Sequence, residues 1–130
     1  MVMQKKILAI DDSIIVLRQL QNILERYYEF KGVTSGLAGL KILESEKVDL
    51  VLLDLQMPVM DGFATLTAIR QRENLKELPV IILTVDSHKQ RVVKGIMSGV
   101  AGYVVKPVDS DQLLDRIEKC LYAGEEGFLF

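Results

Sequence analysis

The sequence contains few of the residues on which secreted, membrane and disulfide-rich proteins depend. Cys120 is the only cysteine, so no intramolecular disulfide is possible, which suits a reducing cytosol. No apolar run approaches the roughly 18 residues that a membrane-spanning helix needs. The apolar run after the N-terminal MVMQKK is too short for a signal peptide. We therefore expect a cytoplasmic protein with no membrane partner.

Charge of one sign and nucleotide-binding motifs are also scarce. The formal net charge of −2 argues against a protein that binds nucleic acid directly. No GxxxxGK[ST] motif is present to cradle a phosphate, which argues against a nucleotide hydrolase. His88 is the only histidine. We expect it to be inert, as most single histidines in an exposed loop or at the start of a helix are.

What the chain does contain fits one domain with a substantial core. It has 130 residues, of which 49% are hydrophobic. No internal repeat, low-complexity segment or interdomain linker is visible. We assign residues 1–124 to the domain and expect residues 125–130 to form a mobile tail.

Apolar segments alternate between the spacing of strands and the spacing of helices. The predicted strands are 7–10, 28–33, 50–53, 80–83 and 102–105. The predicted inner faces of the helices are Ile14, Leu17, Leu20 and Leu24; Leu37, Leu40 and Leu43; Phe63, Leu66 and Ile69; Val92, Val93 and Ile96; and Leu113, Leu114, Ile117 and Leu121. The last helix is expected to start at Asp109 and to end at Gly124. Five such alternations predict an α/β fold, a doubly wound three-layer sandwich.

Polar residues follow four of the predicted strands, at the end where each strand stops. Asp11 and Asp12 follow the first strand, Asp54 the third, Thr84 the fourth and Lys106 the fifth. In an open parallel sheet the ligand crevice lies outside these strand ends. Taken alone, Asp54 also fits a turn residue, and the acid pair fits one helix cap and one solvated carboxylate. Three acids at one sheet edge favour a binding site.

Carboxylates gathered in this way need compensating positive charge. At a separation of ~5 Å and an effective dielectric constant of ~20, each pair repels by roughly 3 kcal/mol. A hard divalent cation with oxygen ligands is the natural partner, and Mg²⁺ commonly uses one or two carboxylates together with waters and phosphate oxygens. Lys106 adds a further positive charge. The residues therefore predict a magnesium site.

This combination resembles the receiver domain of two-component response regulators, in particular the chemotaxis regulators. The likeness runs from about residue 5 to residue 123 and is carried by Asp11-Asp12, Asp54, Met57-Pro58, Asp61-Gly62, Thr84 and Lys106-Pro107. The resemblance implies a flavodoxin-like (βα)5 fold with the parallel strand order 2-1-3-4-5. In that order the first and third strands are neighbours, which would bring the acid pair beside Asp54.

The resemblance also implies a role for each site residue. Asp54 would accept a phosphoryl group from the phosphohistidine of a sensor kinase or phosphotransfer protein, or from a small acyl phosphate. Mg²⁺ would be held by Asp12, Asp54 and the main-chain carbonyl of Gln56, with Asp11 acting through water. Thr84 and Lys106 would contact the phosphoryl oxygens. The protein would then be a phosphoacceptor that assists its own phosphorylation and dephosphorylation, and not an enzyme with a separate substrate.

A switch toward an output partner or an attached effector domain is part of the same resemblance. Thr84 would move toward the phosphoryl group and Tyr103 would turn inward, although Tyr103 taken alone fits a partly buried strand tyrosine. The output face would include Lys89, Val92, Tyr103 and Arg116. The Lys106-Pro107 peptide bond would be cis, and X-Pro bonds are the ones for which cis is accessible.

One residue departs from the family pattern, and three other functions compete. Val85 stands where family members usually carry a very small residue, and its bulk would narrow the entry to Asp54. A protein-interaction module of the same fold that is never phosphorylated is the first alternative. A Mg²⁺-dependent phosphatase usually needs a second acid in a DxD pattern, which Asp54-Leu55-Gln56 lacks. A flavin-binding domain is disfavoured because the two acids after the first strand would repel the flavin phosphate.

Overall fold

The structure is a computed structural model that describes residues 4–85 and 99–126. Its parallel sheet comprises β1 (Lys6–Ile10), β2 (Glu29–Val33), β3 (Leu50–Asp54), β4 (Val80–Thr84) and β5 (Gly102–Val105). The described helices are α1 (Ile14–Leu24), α2 (Gly36–Ser45), α3 (Gly62–Arg70), a 3₁₀ turn (Glu73–Leu75) and the C-terminal helix (Ser110–Glu126). The strand order is β2-β1-β3-β4-β5, which confirms the predicted topology. The helix predicted over 89–98 lies outside the described residues, as do His88, Lys89 and Val92.

Apolar residues bury the three central strands on both faces, apart from the half-buried Lys6 at the start of β1. Every residue of β3 and β4 is buried. Successive residues of a strand point to opposite faces, so Leu53 packs in the cluster with α2 and α3, whereas Leu52 packs in the cluster with α1 and the C-terminal helix. A continuous apolar run therefore specifies a strand covered by helices on both sides.

Two positions predicted to be buried lie in solvent, and one helix is longer than expected. Ile14 is 63% exposed and Leu37 is 58% exposed, because both lie in the first turn of a helix, beyond the part that covers the sheet. In this part of α2 the buried residues are Gly36 and Gly39. The C-terminal helix continues to Glu126 instead of ending at Gly124, with non-helical angles at Tyr122. A glycine ends a helix when it adopts the left-handed capping conformation, and a low helix propensity alone does not stop one.

Side-chain caps begin the helices close to the carboxyl edge of the sheet. Ser13 accepts from the Val16 amide at the start of α1, and Asp61 accepts from the Ala64 amide at 2.8 Å at the start of α3. Asp109 accepts from the Gln112 amide at 2.9 Å before the C-terminal helix. Each cap fixes the point at which the chain leaves its strand. Within the described ranges, no helix combines the length and the apolar character needed to cross a membrane.

Candidate metal centre at the carboxyl edge of the sheet

Three carboxylates meet where β1 and β3 end. Ile10 pairs with Leu53 in the parallel register, so Asp11 and Asp54 end neighbouring strands. Asp11, Asp12 and Asp54 each offer a carboxylate oxygen, and these oxygens lie within 4.8 Å of one another. Asp11 is 0% exposed and Asp54 is 3% exposed, whereas Asp12 faces solvent. The tertiary structure thus brings together the acids that the sequence placed at separate strand ends.

Lys106 reaches this cluster from the far side of β4. Its ammonium lies 2.6 Å from Asp11 Oδ2 and 3.5 Å from Asp54 Oδ1. The Lys106 amide donates to the carbonyl of Thr84 at 2.8 Å, and the Lys106–Pro107 peptide bond is cis. The lysine is therefore one of the site's charges, and its shorter contact is with Asp11.

Thr84 ends β4 between the acids and the lysine. It is 1% exposed, and it pairs with Val105 in the register of β5. Because β4 lies between β3 and β5, its carboxyl end stands between the residues that follow those two strands. The hydroxyl-bearing side chain is thereby buried at the same sheet edge as Asp54.

Main-chain amides hold the two buried carboxylates. Asp11 Oδ1 accepts from the Ser13 amide at 2.9 Å, and Asp54 Oδ1 accepts from the Gln56 amide at 3.2 Å. Each bond spans two residues along the chain, so each acid forms an Asx-type turn as it leaves its strand. Asp54 is therefore a turn residue, as its position alone allows, and this does not exclude a binding role. Neither amide was predicted as part of the site, although an Asp at a strand end signals an Asx-type turn to the amide two residues on.

The surroundings of Asp54 resist its ionisation. Burial is the larger cause, and the nearby charge of Asp11 is the second; together they raise the pKa of Asp54 to about 6. The Gln56 amide and Lys106 act in the opposite direction without cancelling the effect. Three carboxylates beside one ammonium leave a surplus of negative charge when all are ionised. A bound cation would remove that surplus.

The donor set fits a hard divalent cation. The cluster consists of carboxylate oxygens close enough for one ion to contact more than one of them. Mg²⁺ binds through few carboxylates and keeps several waters, and the exposed position of Asp12 leaves the cluster open to solvent on one side. Gln56 lies at this edge with an exposed side chain, and its amide is oriented by Asp54.

Apolar side chains stand exposed around the acids. Val85 is 61% exposed and lines, with Ile15, Val16, Gln19, Lys106, Pro107 and Val108, a groove of about 370 Å³. Ile15 is 73% exposed. Val59, in the loop before α3, is fully exposed and has φ of +68°, which is unusual for a β-branched residue. The strain at Val59 has no signature in the sequence.

Of the residues predicted for switching and output, Thr84 lies at the acid cluster, and Tyr103 and Arg116 lie on β5 and the C-terminal helix. Tyr103 is 37% exposed on β5. Arg116 is half-buried beside the start of β5, since its Nη1 would lie 3.7 Å from a Cβ added at Gly102. The other two predicted members of the output face lie outside the described residues.

Comparison with known proteins decides the family. A family model described as the response regulator receiver domain matches residues 7–118. The chain belongs to the response regulator receiver domain family. As a receiver domain it is a module of two-component signalling, and the acid pocket is the place where such domains bind Mg²⁺.

Its relatives include both short and longer proteins. The receiver domain is 34% identical over 116 residues to the chemotaxis protein CheY of Pseudomonas aeruginosa, covering 88% of this chain and 94% of that protein. It is 37% identical over 120 residues to the transcriptional regulatory protein AfsQ1 of Streptomyces coelicolor, covering 92% of this chain and 52% of that protein. A crystal structure of CheY4 from Vibrio cholerae superposes with a TM-score of 0.86 at 29% identity, covering 91% of this chain and 99% of that chain.

Proposed function

We propose that this receiver domain is a phosphoacceptor switch in which Asp54 takes a phosphoryl group in a Mg²⁺-dependent reaction. The observation that carries the proposal is the position of the Asp54 carboxylate. It is 3% exposed, lies 3.5 Å from the Lys106 ammonium, and belongs to a cluster of acids that fits a divalent cation. Phosphoryl transfer asks little covalent chemistry of a protein and depends on positioning and on charge neutralisation.

In the proposed step an oxygen of Asp54 attacks phosphorus while the bond from phosphorus to the donor breaks. The donor is a phosphohistidine, whose nitrogen keeps the electron pair, or a small acyl phosphate, whose carboxylate leaves. Asp54 must react in its ionised form, which its burial disfavours. Bound Mg²⁺, held by Asp12, Asp54 and the Gln56 carbonyl with Asp11 through water, would supply the positive charge that restores ionisation.

The chain's own residues then orient the phosphoryl oxygens. Lys106 pairs with one oxygen and gives up part of its contact with Asp11, which is 2.6 Å away before the reaction. The hydroxyl of Thr84 donates a hydrogen bond to another phosphoryl oxygen. Charge-assisted hydrogen bonds of this kind contribute about 1.5–3 kcal/mol each. Hydrolysis of the resulting acyl phosphate, which the same residues assist, returns the domain to its starting state.

The proposed switch uses that interaction energy. Thr84 moves toward the phosphoryl group, and Tyr103 turns from its 37% exposed position into the space released. A population shift from 1:99 to 99:1 needs about 5.5 kcal/mol, which two or three such contacts supply. The surface that changes is the output face, with Lys89, Val92, Tyr103 and Arg116. It controls a separate output protein or an attached effector domain.

A protein donor is favoured by the surface around the acids. Ile15, Val59 and Val85 are all more than half exposed at the carboxyl edge of the sheet. A small acyl phosphate gains nothing from an apolar rim, whereas a protein that carries a phosphohistidine can bury it. We therefore propose a sensor histidine kinase or a phosphotransfer protein as the principal donor.

The test is to incubate the protein with acetyl phosphate and Mg²⁺ and to measure its intact mass. We expect a mass gain of one phosphoryl group that is absent in Asp54→Asn and absent with excess EDTA. Asp115→Asn, on the exposed side of the C-terminal helix, is the matched control and should gain the group as the parent does. A gain that persists in Asp54→Asn would overturn the assignment. No mass gain from any donor would favour the interaction module that is never phosphorylated, an alternative that the bulk of Val85 supports.

A further inference from the structure

The backbone that carries Asp54 is held from the side of α3 by a residue without a side chain. Gly62 is the first residue of α3 and is buried. A Cβ built there would lie 2.3 Å from the carbonyl oxygen of Asp54, 2.6 Å from Leu55 Cα and 3.0 Å from the carbonyl carbon of Asp54. All three of these neighbours are backbone atoms of the strand end, and backbone cannot rotate away as a flexible side chain can.

Hydrogen bonds fix the same segment on both sides. The Leu55 amide donates to the Leu83 carbonyl of β4 at 3.3 Å, and the Leu55 carbonyl accepts from the Gly62 amide at 3.1 Å. The segment that links Asp54 to Gln56 is thus clamped between β4 and the start of α3.

The start of α3 is itself rigid. The carboxylate of Asp61 accepts from the Ala64 amide at 2.8 Å, and its carbonyl accepts from the Thr65 amide at 3.0 Å and from the Thr65 hydroxyl at 2.9 Å. Thr65 is 0% exposed, so the first turn of α3 is also held by packing. A methyl group at residue 62 must therefore displace the strand end or tilt the helix.

We infer that Gly62 is a positioning residue for the phosphoacceptor. The lack of a side chain at residue 62 sets the position of the backbone from Asp54 to Gln56, and with it the distances from the Asp54 carboxylate to Asp11 and Lys106. The inference rests on the proposed phosphoacceptor role of Asp54. A displacement of about 1 Å in such a site can lower a rate by about 100-fold.

Gly36 provides a matched control for Gly62. Each is the buried first residue of its helix, and each follows a side-chain cap, Ser35 or Asp61. A Cβ at Gly36 would meet the Thr65 hydroxyl oxygen at 2.2 Å and the Met60 sulfur at 3.1 Å. The steric clash is as close as that at Gly62, but it falls on side chains and not on the backbone of Asp54.

The experiment compares Gly62→Ala, Gly36→Ala and the parent by urea unfolding, Mg²⁺ titration calorimetry and phosphorylation by acetyl phosphate. We expect both variants to unfold at lower urea concentration. Only Gly62→Ala should bind Mg²⁺ more weakly, by about 10-fold, and be phosphorylated more slowly, by about 10- to 100-fold per folded molecule. Amide spectra should show shifts at Asp54, Leu55 and Gln56 in Gly62→Ala that Gly36→Ala lacks.

Three outcomes would overturn the inference. The first is a folded Gly62→Ala that binds Mg²⁺ and accepts the phosphoryl group within about twofold of the parent. The second is equal losses in both variants, which makes residue 62 merely structural. The third is a Gly62→Ala that stays unfolded in trimethylamine N-oxide, an osmolyte that favours the folded state, while Gly36→Ala folds there. If the parent itself gains no phosphoryl group, the proposed function fails, and the amide spectra and Mg²⁺ affinities still judge the positioning role.

Discussion

At the scale of single residues, the burial of Asp54 opposes the negative charge that its proposed phosphoacceptor role requires. The carboxylate is buried beside Asp11 and Lys106, and this burial disfavours its charge. Its folded-state pKa of about 6 lies above its ordinary value of 3.8. The folded state therefore favours the neutral carboxyl group. The contribution of Asp54 to the free energy of unfolding is fully present below about pH 4 and is lost as the pH rises through about 6.

We expect Asp54→Asn to stabilise the metal-free protein at pH 8. The gain should be about 1–3 kcal/mol, since each unit of pKa shift corresponds to about 1.4 kcal/mol. It should shrink as the pH is lowered from 6 toward 4, where the carboxyl group of the parent becomes neutral. The measurement is urea unfolding in EDTA across this pH range. Asp115→Asn, whose side chain is 59% exposed, should change stability little at any of these values. A variant less stable than the parent at pH 8 would contradict the sign.

Val59 is a second residue that we expect to lower the stability of the fold, in this case through its backbone conformation. Its φ of +68° is disfavoured for a β-branched residue, and its side chain is fully exposed, so no packing compensates. We expect Val59→Asn to raise the free energy of unfolding by about 0.5–1 kcal/mol, because asparagine tolerates the left-handed region. Val59→Thr keeps the β-branch and should give no gain. Urea unfolding of both variants tests this, and equal stability of the two would show that backbone strain is not the cause.

At the scale of elements, ion pairs join the residue that follows α2 to strands β1 and β2. Glu46 follows α2 and pairs with Lys6 of β1 and, at 2.8 Å, with Lys31 of β2. The hydrogen bond from Lys31 is the larger cause and that from Lys6 the second; together they lower the pKa of Glu46 to about 2. One carboxylate thus ties a helix to two neighbouring strands.

We expect Glu46→Gln to lower the urea midpoint at pH 7. Because the pKa is lowered on folding, the contribution of Glu46 is present above the ordinary value of 4.5 and is lost as the pH falls through about 2. The difference from the parent should therefore shrink between pH 4.5 and pH 2, and it should also shrink in high salt. Glu44→Gln removes the ion pair with Arg72. Because Glu44 is more exposed than Glu46, this change should shift the urea midpoint less. A difference that persists unchanged at pH 2 would exclude the ion pairs as its source.

At the scale of the whole molecule, the candidate metal centre brings together residues from the carboxyl ends of β1, β3 and β5. Asp11 and Asp12 follow β1, Asp54 is the last residue of β3 and Lys106 follows β5, so a ligand of this site would link strands that are far apart in the chain. A ligand that binds only the folded state stabilises it by about 2.7 kcal/mol at 100 times its dissociation constant. Metal binding should therefore be visible in global unfolding.

We expect Mg²⁺ to raise the melting temperature relative to EDTA, and we expect Asp12→Asn to reduce that rise. Asp12 is the exposed member of the cluster, so its replacement should leave the metal-free melting temperature nearly unchanged. Thermal melting monitored by circular dichroism, with and without MgCl₂, measures both effects. An equal Mg²⁺ response in the parent and in Asp12→Asn would place the ion elsewhere.

The strands could be predicted because short apolar runs bury both faces of a parallel sheet and because each run stops at a polar residue, whereas their order was predicted only through the resemblance to the receiver family. The strand ends with Asp11, Asp54, Thr84 and Lys106 follow from that pattern alone. The faces of the first helical turns could not be predicted, since Ile14 and Leu37 have the right spacing but extend past the sheet they would cover. Spacing reports the direction of a side chain and not the extent of the surface beneath it.

The sequence by itself thus determined the fold class and the residue types at one sheet edge, because hydrophobic periodicity and turn chemistry are local properties, and its resemblance to the receiver family supplied the strand order. Only the tertiary structure decided that Lys106 lies closer to Asp11 than to Asp54, that burial raises the pKa of Asp54, and that Gly62 abuts the backbone of Asp54. These features depend on distances between atoms that are 7 to 95 residues apart in the chain, such as the 95 that separate Asp11 from Lys106. Such distances are set by how helices and strands pack, which no local pattern encodes.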